Sequence, residues 1–415
     1  MKQPDKVAGD LIFKERAESG MQCFCYPKKG YQEKFAACVV PFGANMLFFR
    51  KKGVDKVERF PEGIAHFLEH KLFQQAWGDA FTRFGKQGAS ANAFTDGNKT
   101  VYYFTCQENF EENLELLIDF VQNPVFKEDS VEKEKDIIKS EIAMYNDMPE
   151  WAVYMQMLDM MYENHPIQYA VSGTAQTVEG ITAADLEYVY ESCYLPQKFS
   201  LVTAGNIDPR RVMTQAHKMQ KRNVQGQIVW EREPEGIQER YGERHMGMSR
   251  PLFQVGWKLP VEGFSVQERL AMEVLLDLWA GESSAFQEKA FQRGWLDVPV
   301  IQTYDRGEGY RFCAFSGSTS KPEELAEGLL AAWEGLQKDG ILEKDFLRIQ
   351  KKLVGRCLRV FQSVRGTGMT QIDWLSYGTD LGEVFRSAKA LQKNDIEKML
   401  QNTVREDKMV LSVIR

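Results

Sequence analysis

Two α/β units in tandem, each of about 200 residues, are what the sequence predicts. Three observations carry the prediction. Strand-like apolar runs alternate with long amphipathic helices, short passages recur at an offset of about 210 residues, and a charged stretch with Gly and Pro but no apolar periodicity separates the halves.

In chain order, Met21-Gln22-Cys23-Phe24-Cys25-Tyr26-Pro27 reads as a strand and Gly63 to Phe73, GIAHFLEHKLF, as a helix. Val131 to Asp147, VEKEKDIIKSEIAMYND, is a second, Lys- and Glu-rich helix through Ile137, Ile138 and Ile142. Asp185-Leu186-Glu187 opens a helix that leads into the strand Phe199-Ser200-Leu201-Val202. The second half repeats the pattern. Glu343-Lys344-Asp345 opens a helix through Ile349 and Leu353, 211 residues after Glu132-Lys133-Glu134. Asp395-Ile396-Glu397, 210 residues after Asp185, leads without a gap into Met409-Val410-Leu411-Ser412. The charged segment over residues 223 to 250 gives domains at 1–225 and 251–415 with a linker at 226–250.

Composition bounds the function. The 415 residues are 43% apolar and 27% charged, the balance of a globular chain. With 52 basic against 59 acidic residues the net charge is −7, which gives no general attraction to nucleic acid. The seven cysteines are odd in number and scattered, unlike a disulfide framework, and read as reduced and mostly buried. Cys23 and Cys25 share a strand face but have no second pair with which to complete a metal site. MKQPDKVAGD lacks the apolar stretch of a signal peptide, and no apolar run approaches the roughly 20 residues that span a bilayer. The expected location is the cytoplasm, with no membrane partner.

Among five histidines, His66 and His70 are four apart, so on a helix both imidazoles leave one face and can grip one ion, with Glu69 beside them. Two neutral imidazoles leave a zinc ion short of a ligand, and catalytic sites commonly take a carboxylate third and keep a fourth position for water. Glu141 is the candidate. Glu134 lies seven residues earlier, two turns along one helical face, so that one carboxylate ligates and the other supports a ligand from behind. The chemistry such a set performs is water activation, with one zinc per chain lowering the pKa of water and Glu69 taking the proton. The second half has no counterpart: it reads LLDLWAGESS around residue 277, and Lys352 stands where Glu141 stands in the first.

His66-Phe67-Leu68-Glu69-His70 is the inverted zinc-peptidase motif, and with Glu141 located 71 residues after His70 the chain resembles the pitrilysin and insulinase family, including mitochondrial processing peptidase. The likeness also covers GASANAFTDGNKTVYYF at 88–104, the helix from Glu134 to Met148 and the turn LVTAGNIDP. It implies a half-length, processing-peptidase-like subunit of bacterial type. Its two similar domains would each be a mostly antiparallel sheet packed with long helices, together forming half of a clamshell whose other half is a second chain. It also maps Ser90, Ala91, Asn92, Ala93 and Phe94 to an edge strand that captures peptide by main-chain pairing. One departure stands out. Family members commonly use an Arg and a Tyr seven positions later to hold substrate, and the stretch that should carry them reads AFQEKAFQRGWLDVPV. The resemblance therefore implies a dimer, preferably a heterodimer with a sister subunit supplying that pair, otherwise a homodimer.

The function expected is a zinc-dependent endopeptidase acting on short or unfolded peptides or on a dedicated precursor. The alternatives are a non-catalytic peptide-binding or assembly subunit and a structural zinc site, which would ordinarily be closed by four Cys or His ligands. His165, His217 and His245 have no metal-spaced partner, and Gly366 and Gly368 in SVRGTGMT lack the Lys and preceding strand of a phosphate loop.

Overall fold

The computed structural model describes residues 5–7, 9–263 and 265–415; part of the amino-terminal stretch read for a leader lies outside them. The described residues fall into two compact units, each assembled from three stretches of chain: 1–142, 170–229 and 357–385 in the first, 143–169, 230–356 and 386–415 in the second.

The first unit is built on a seven-stranded sheet in the order Asp5–Val7, Asp10–Arg16, Gln22–Pro27, Ser200–Gly205, Lys34–Val40, Thr100–Cys106, Ala89–Thr95. All pairs are antiparallel except Gln22–Pro27 with Ser200–Gly205. The central strand Lys34–Val40, KFAACVV, is a continuous apolar run because both of its faces are covered. Ala36, Cys38 and Val40 join Phe67, Leu68, Leu114 and Leu117 in one large core. On the opposite face Phe35 meets the helix Val364–Trp374, so closely that a Cβ on Gly368 would lie 2.3 Å from its ring. The glycines of SVRGTGMT thus belong to a helix, capped by Ser363, whose hydroxyl accepts from the Gly366 N–H at 3.0 Å.

The second unit repeats five of those strands in the same order: Tyr241–Arg244, Met409–Ile414, Leu252–Lys258, Tyr310–Ser318, Ile301–Gly307, with the first pair again parallel and the rest antiparallel. The recurrence at 210 residues has a local cause. Asp185 and Asp395 are both third residues of a helix and both complete a capping box, with Thr182 and with Gln392. One face of this sheet carries the helix Pro149–Met161, whose Met157 and Met161 press on the strand so tightly that a Cβ on Gly256 would meet them at 2.6 and 2.2 Å. The other face packs Trp257 on Trp279, and Trp279 on Trp333, at ring separations of 4.7 and 4.6 Å.

Each unit therefore includes one helix from the opposite half of the sequence: Val364–Trp374 in the first and Pro149–Met161 in the second. The segment read as a linker carries two short strands, Gly226–Ile228 in a small sheet of the first unit and Tyr241–Arg244 in the main sheet of the second. Six of the seven cysteines are buried, with Cys23 and Cys25 in the first core. No described helix is long and apolar enough to cross a membrane.

Candidate metal centre

The helix Ile64–Leu72 is buried on almost every side, which places its polar groups, His66, Glu69, His70 and Lys71, in a medium of low dielectric. It starts at Gly63, whose φ of 87° belongs to the left-handed region, and a Cβ there would lie 2.4 Å from the carbonyl oxygen of Ser172. Only glycine fits this entry. His66, Glu69 and His70 follow within two turns, and the two imidazole centroids are 4.6 Å apart.

Glu141 arrives from the helix Glu128–Asn146. Its Oε2 lies 3.7 Å from His66 Nε2 and 3.5 Å from His70 Nε2, and one donor atom from each of the three residues falls within 4.8 Å of the others. These separations are too long for hydrogen bonds, which run at about 2.7–3.2 Å. They match the edge of a tetrahedron of metal ligands, about 3.4 Å for bonds of about 2.1 Å. Two imidazoles and one carboxylate are also a donor set that suits zinc, so the residues fit such an ion.

Protonation supports the fit at His66, and hydrogen-bond geometry supports it at His70. Burial, followed by the neighbouring His70, holds His66 down to about 3, so that its ring is neutral. Burial also opposes charge on His70, but the hydrogen bond to Glu134 and the fields of Glu69, Glu134 and Glu141 outweigh it and raise its pKa. His70 Nδ1 meets Glu134 Oε1 at 3.0 Å. With Nδ1 donating to that carboxylate, the neutral ring of His70 turns its Nε2 lone pair toward Glu141 and His66.

Glu69 is buried and stays apart from that trio. Burial raises its pKa against the pull of a hydrogen bond from Thr95, whose Oγ1 donates to Glu69 Oε2 at 2.6 Å. Thr95 ends the edge strand Ala89–Thr95, which pairs with Thr100–Cys106 and, among the described residues, has no strand on its other side. Ser90 and Asn92 on this strand are exposed, Ala91 and Ala93 lean on the core, and Phe94 packs against Tyr103 at 6.4 Å.

The structure thus brings His66, Glu69, His70, Glu134 and Glu141 together and puts Ser90 to Phe94 on the strand whose last residue touches Glu69. Thr95 was missed in the sequence, although it directly follows Phe94. Lys71, Gln74 and Ser130, which bond to one another and, through Gln74, to Glu134, were missed as well. The remaining histidines are elsewhere. His165 is buried in the second unit, His217 Nδ1 accepts from the Glu18 N–H at 3.2 Å, and His245 is exposed.

Comparison with known proteins agrees with the motif. Residues 58–175 match the family described as Insulinase (Peptidase family M16), and 180–353 match the domain described as Peptidase M16 inactive domain. A zinc protease of Bacillus subtilis (strain 168), YmfH, which carries no characterised function, is 32% identical over 414 residues, 97% of this chain and 96% of the relative. The chain belongs to the insulinase family, M16. Within that M16 family, the crystal structure of an M16-like peptidase from Alicyclobacillus acidocaldarius superposes with a TM-score of 0.93 at 28% identity, covering 99% of both chains. A protease from Helicobacter pylori shares the fold, with a TM-score of 0.83 at 17% identity over 100% of both chains. The two-domain insulinase architecture expected from the sequence is what these matches and the two related sheets show.

Proposed function

We propose that the chain is a zinc-dependent endopeptidase in which His66, His70 and Glu141 hold the metal and Glu69 is the general base. The observation that carries this reading is the convergence of three ligand atoms at metal-sharing distances with a fourth group, Glu69, beside them. A structural site would be closed by four ligands, whereas three ligands and a separate carboxylate suit hydrolysis.

A zinc ion held there supplies Lewis acidity, polarising a carbonyl and making water a stronger acid. The chain's own groups do the rest. Thr95 holds Glu69 Oε2, so the proton from the attacking water is taken at Oε1 and passed to the leaving amine. The raised pKa of Glu69, caused by its burial, favours proton acceptance by its carboxylate. Glu134 keeps His70 in the tautomer that ligates. The substrate is a short or unfolded peptide, or a dedicated precursor, laid as an added strand along Ser90 to Phe94, where the open edge and the exposed Ser90 and Asn92 support main-chain pairing. Because the stretch from Ala285 to Val300 has no Arg followed seven positions later by Tyr, the working form is a dimer, preferably with a sister chain that supplies the pair, otherwise a homodimer.

The test is Glu69→Gln. Metal content should equal that of the parent, while cleavage of a mixed pool of quenched fluorescent peptides falls by about 10²–10⁴-fold. Equal turnover by parent and variant, when the parent cleaves alone or with its sister chain, would exclude Glu69 as the base.

A further inference from the structure

Behind the zinc-site residues lies a closed polar circuit that the reaction as written does not use. Glu134 presents Oε1 to His70 and Oε2 to the side chain of Gln74, whose Nε2 donates at 2.6 Å. The other end of the Gln74 carboxamide accepts from Lys71 Nζ at 2.7 Å and from the hydroxyl of Ser130. Lys71 Nζ also donates to Ser130 Oγ at 2.5 Å. Ser130 and Glu134 are four apart on the helix Glu128–Asn146, so one helical face supplies two corners of the circuit. His70, Lys71 and Gln74 supply the others, from the histidine helix and the short strand that follows it.

The chemistry of the partners fixes which way Gln74 points. Its oxygen must face the ammonium and hydroxyl donors and its NH₂ the carboxylate, because the reverse would set two donors against Lys71 and two acceptors against Glu134. Lys71 is 0% exposed and Glu134 is 5% exposed, so neither finds water as a substitute partner. A buried cation and a buried anion are therefore joined through one oriented carboxamide, which pins both oxygens of Glu134 in place.

We propose that Gln74 is a positioning residue of the metal centre: by holding Glu134 Oε2 it fixes the carboxylate that orients His70, with Lys71 and Ser130 holding Gln74 in turn. The inference rests on the metal-site reading above. Outer partners of metal-bound histidines are worth about 10–100-fold in metal affinity. Gln74 acts one bond further out, and the burial of the circuit keeps its effect within that range.

The experiment measures zinc affinity by competition with a chromogenic chelator, and the visible spectrum of the cobalt-loaded protein, for the full chain and five variants. Gln74→Glu keeps the shape and the bonds from Lys71 and Ser130 but turns a carboxylate toward Glu134. Its zinc Kd should rise about 10–100-fold with a shifted cobalt spectrum. Gln75→Glu is the control, since Gln75 in the same short hairpin donates to the carbonyls of Leu72 and Phe120 and not to Glu134. It should bind zinc as the parent does. Ser130→Ala, a smaller lesion, should give a several-fold loss in the same direction, and it carries the test if Gln74→Glu does not fold. Parental affinity and spectrum in both Gln74→Glu and Ser130→Ala, with His70→Ala defective, would overturn the role of Gln74 alone. Failure of the parent to take up one zinc, or a His66→Ala variant that binds as tightly, would overturn the metal-site reading itself.

Discussion

The first and second units build the same five strands in the same order, yet the helices against them are furnished differently. In the first, the buried helix Ile64–Leu72 offers His66, Glu69 and His70, and Glu141 reaches toward them from the helix Glu128–Asn146. In the second, the helix Val266–Ala280 offers Asp277, and Lys352, the counterpart of Glu141, pairs with it at 2.9 Å. Trp257, Trp279 and Trp333 fill the interior beside it. One unit closes its charges on each other; the other gathers three donors that share no hydrogen bond and suit a cation. The scaffold is indifferent to which it carries, so function resides in a few side chains grafted on a common frame.

Making the first unit resemble the second should have the largest effect. Glu141→Lys copies the residue at 352 into the site, replacing a ligand with a cation, and should abolish stoichiometric zinc binding and lower peptide turnover by more than about 10³-fold. Elemental analysis and the peptide assay check it against circular dichroism of the same sample. Retained zinc would mean that Glu141 is not a ligand.

A histidine of the second unit gives the next effect. Among the described residues the His165 ring hydrogen-bonds to no carboxylate: Nδ1 accepts from the Ile167 N–H at 3.0 Å and Nε2 donates to the Glu308 carbonyl at 2.9 Å, while Glu233 binds its backbone and Lys258, Tyr162 and Tyr310 lie around it. Burial, the largest influence, lowers its pKa from 6.5 to about 4. Between those values the unfolded chain binds more protons than the folded one. The stabilisation is thus complete above pH 6.5 and is lost as the pH falls toward about 4, roughly 3 kcal/mol in all at about 1.4 kcal/mol per pH unit. Denaturant unfolding at several pH values should show that slope, and His165→Gln should remove it. An equal slope in the variant would assign it to other groups.

Thr95 sharpens the contrast more finely. Thr95→Val removes the bond to Glu69 while keeping shape, and should lower kcat about 10-fold with zinc content unchanged, whereas Thr95→Ser should restore most of it. A loss of zinc in Thr95→Val would point to disturbance of the ligands instead. The smallest effect belongs to Lys352→Ala. The Lys352 side chain is half exposed, and loss of its pairing with Asp277 should change stability by less than about 1 kcal/mol and leave turnover unaltered.

Much of the site was legible because its spacing is local. His66, Glu69 and His70 sit within two turns, and helical periodicity alone brings them to one face. Glu134 and Glu141 stood out as two positions seven apart on another helix, and the resemblance to the insulinase family singled out Glu141 by its place 71 residues after His70. The duplication was visible because Asp185 and Asp395 perform the same capping task. What escaped is what periodicity cannot carry. Amphipathic spacing marks Pro149–Met161 and Val364–Trp374 as helices but says nothing about which sheet each will cover. Gly256 and Gly368, the residues that let those helices approach, look in sequence like any other glycine. Thr95 and Gln74 lie at a strand end and just past a helix end, where a single polar residue has no repeating neighbour to betray its partner.

The exchanged helices also govern how this polypeptide could be divided. A cut between Val229 and Trp230, where one unit gives way to the other in the middle of the chain, would leave the front fragment with the helix Pro149–Met161 but not the sheet it covers, and without the helix that belongs over its own Phe35. The rear fragment would be incomplete in the mirror-image way, its Gly256 uncovered. Neither piece is a self-sufficient module, and each carries the other's missing layer. Severed halves would regain structure as a complementing pair and not as independent domains.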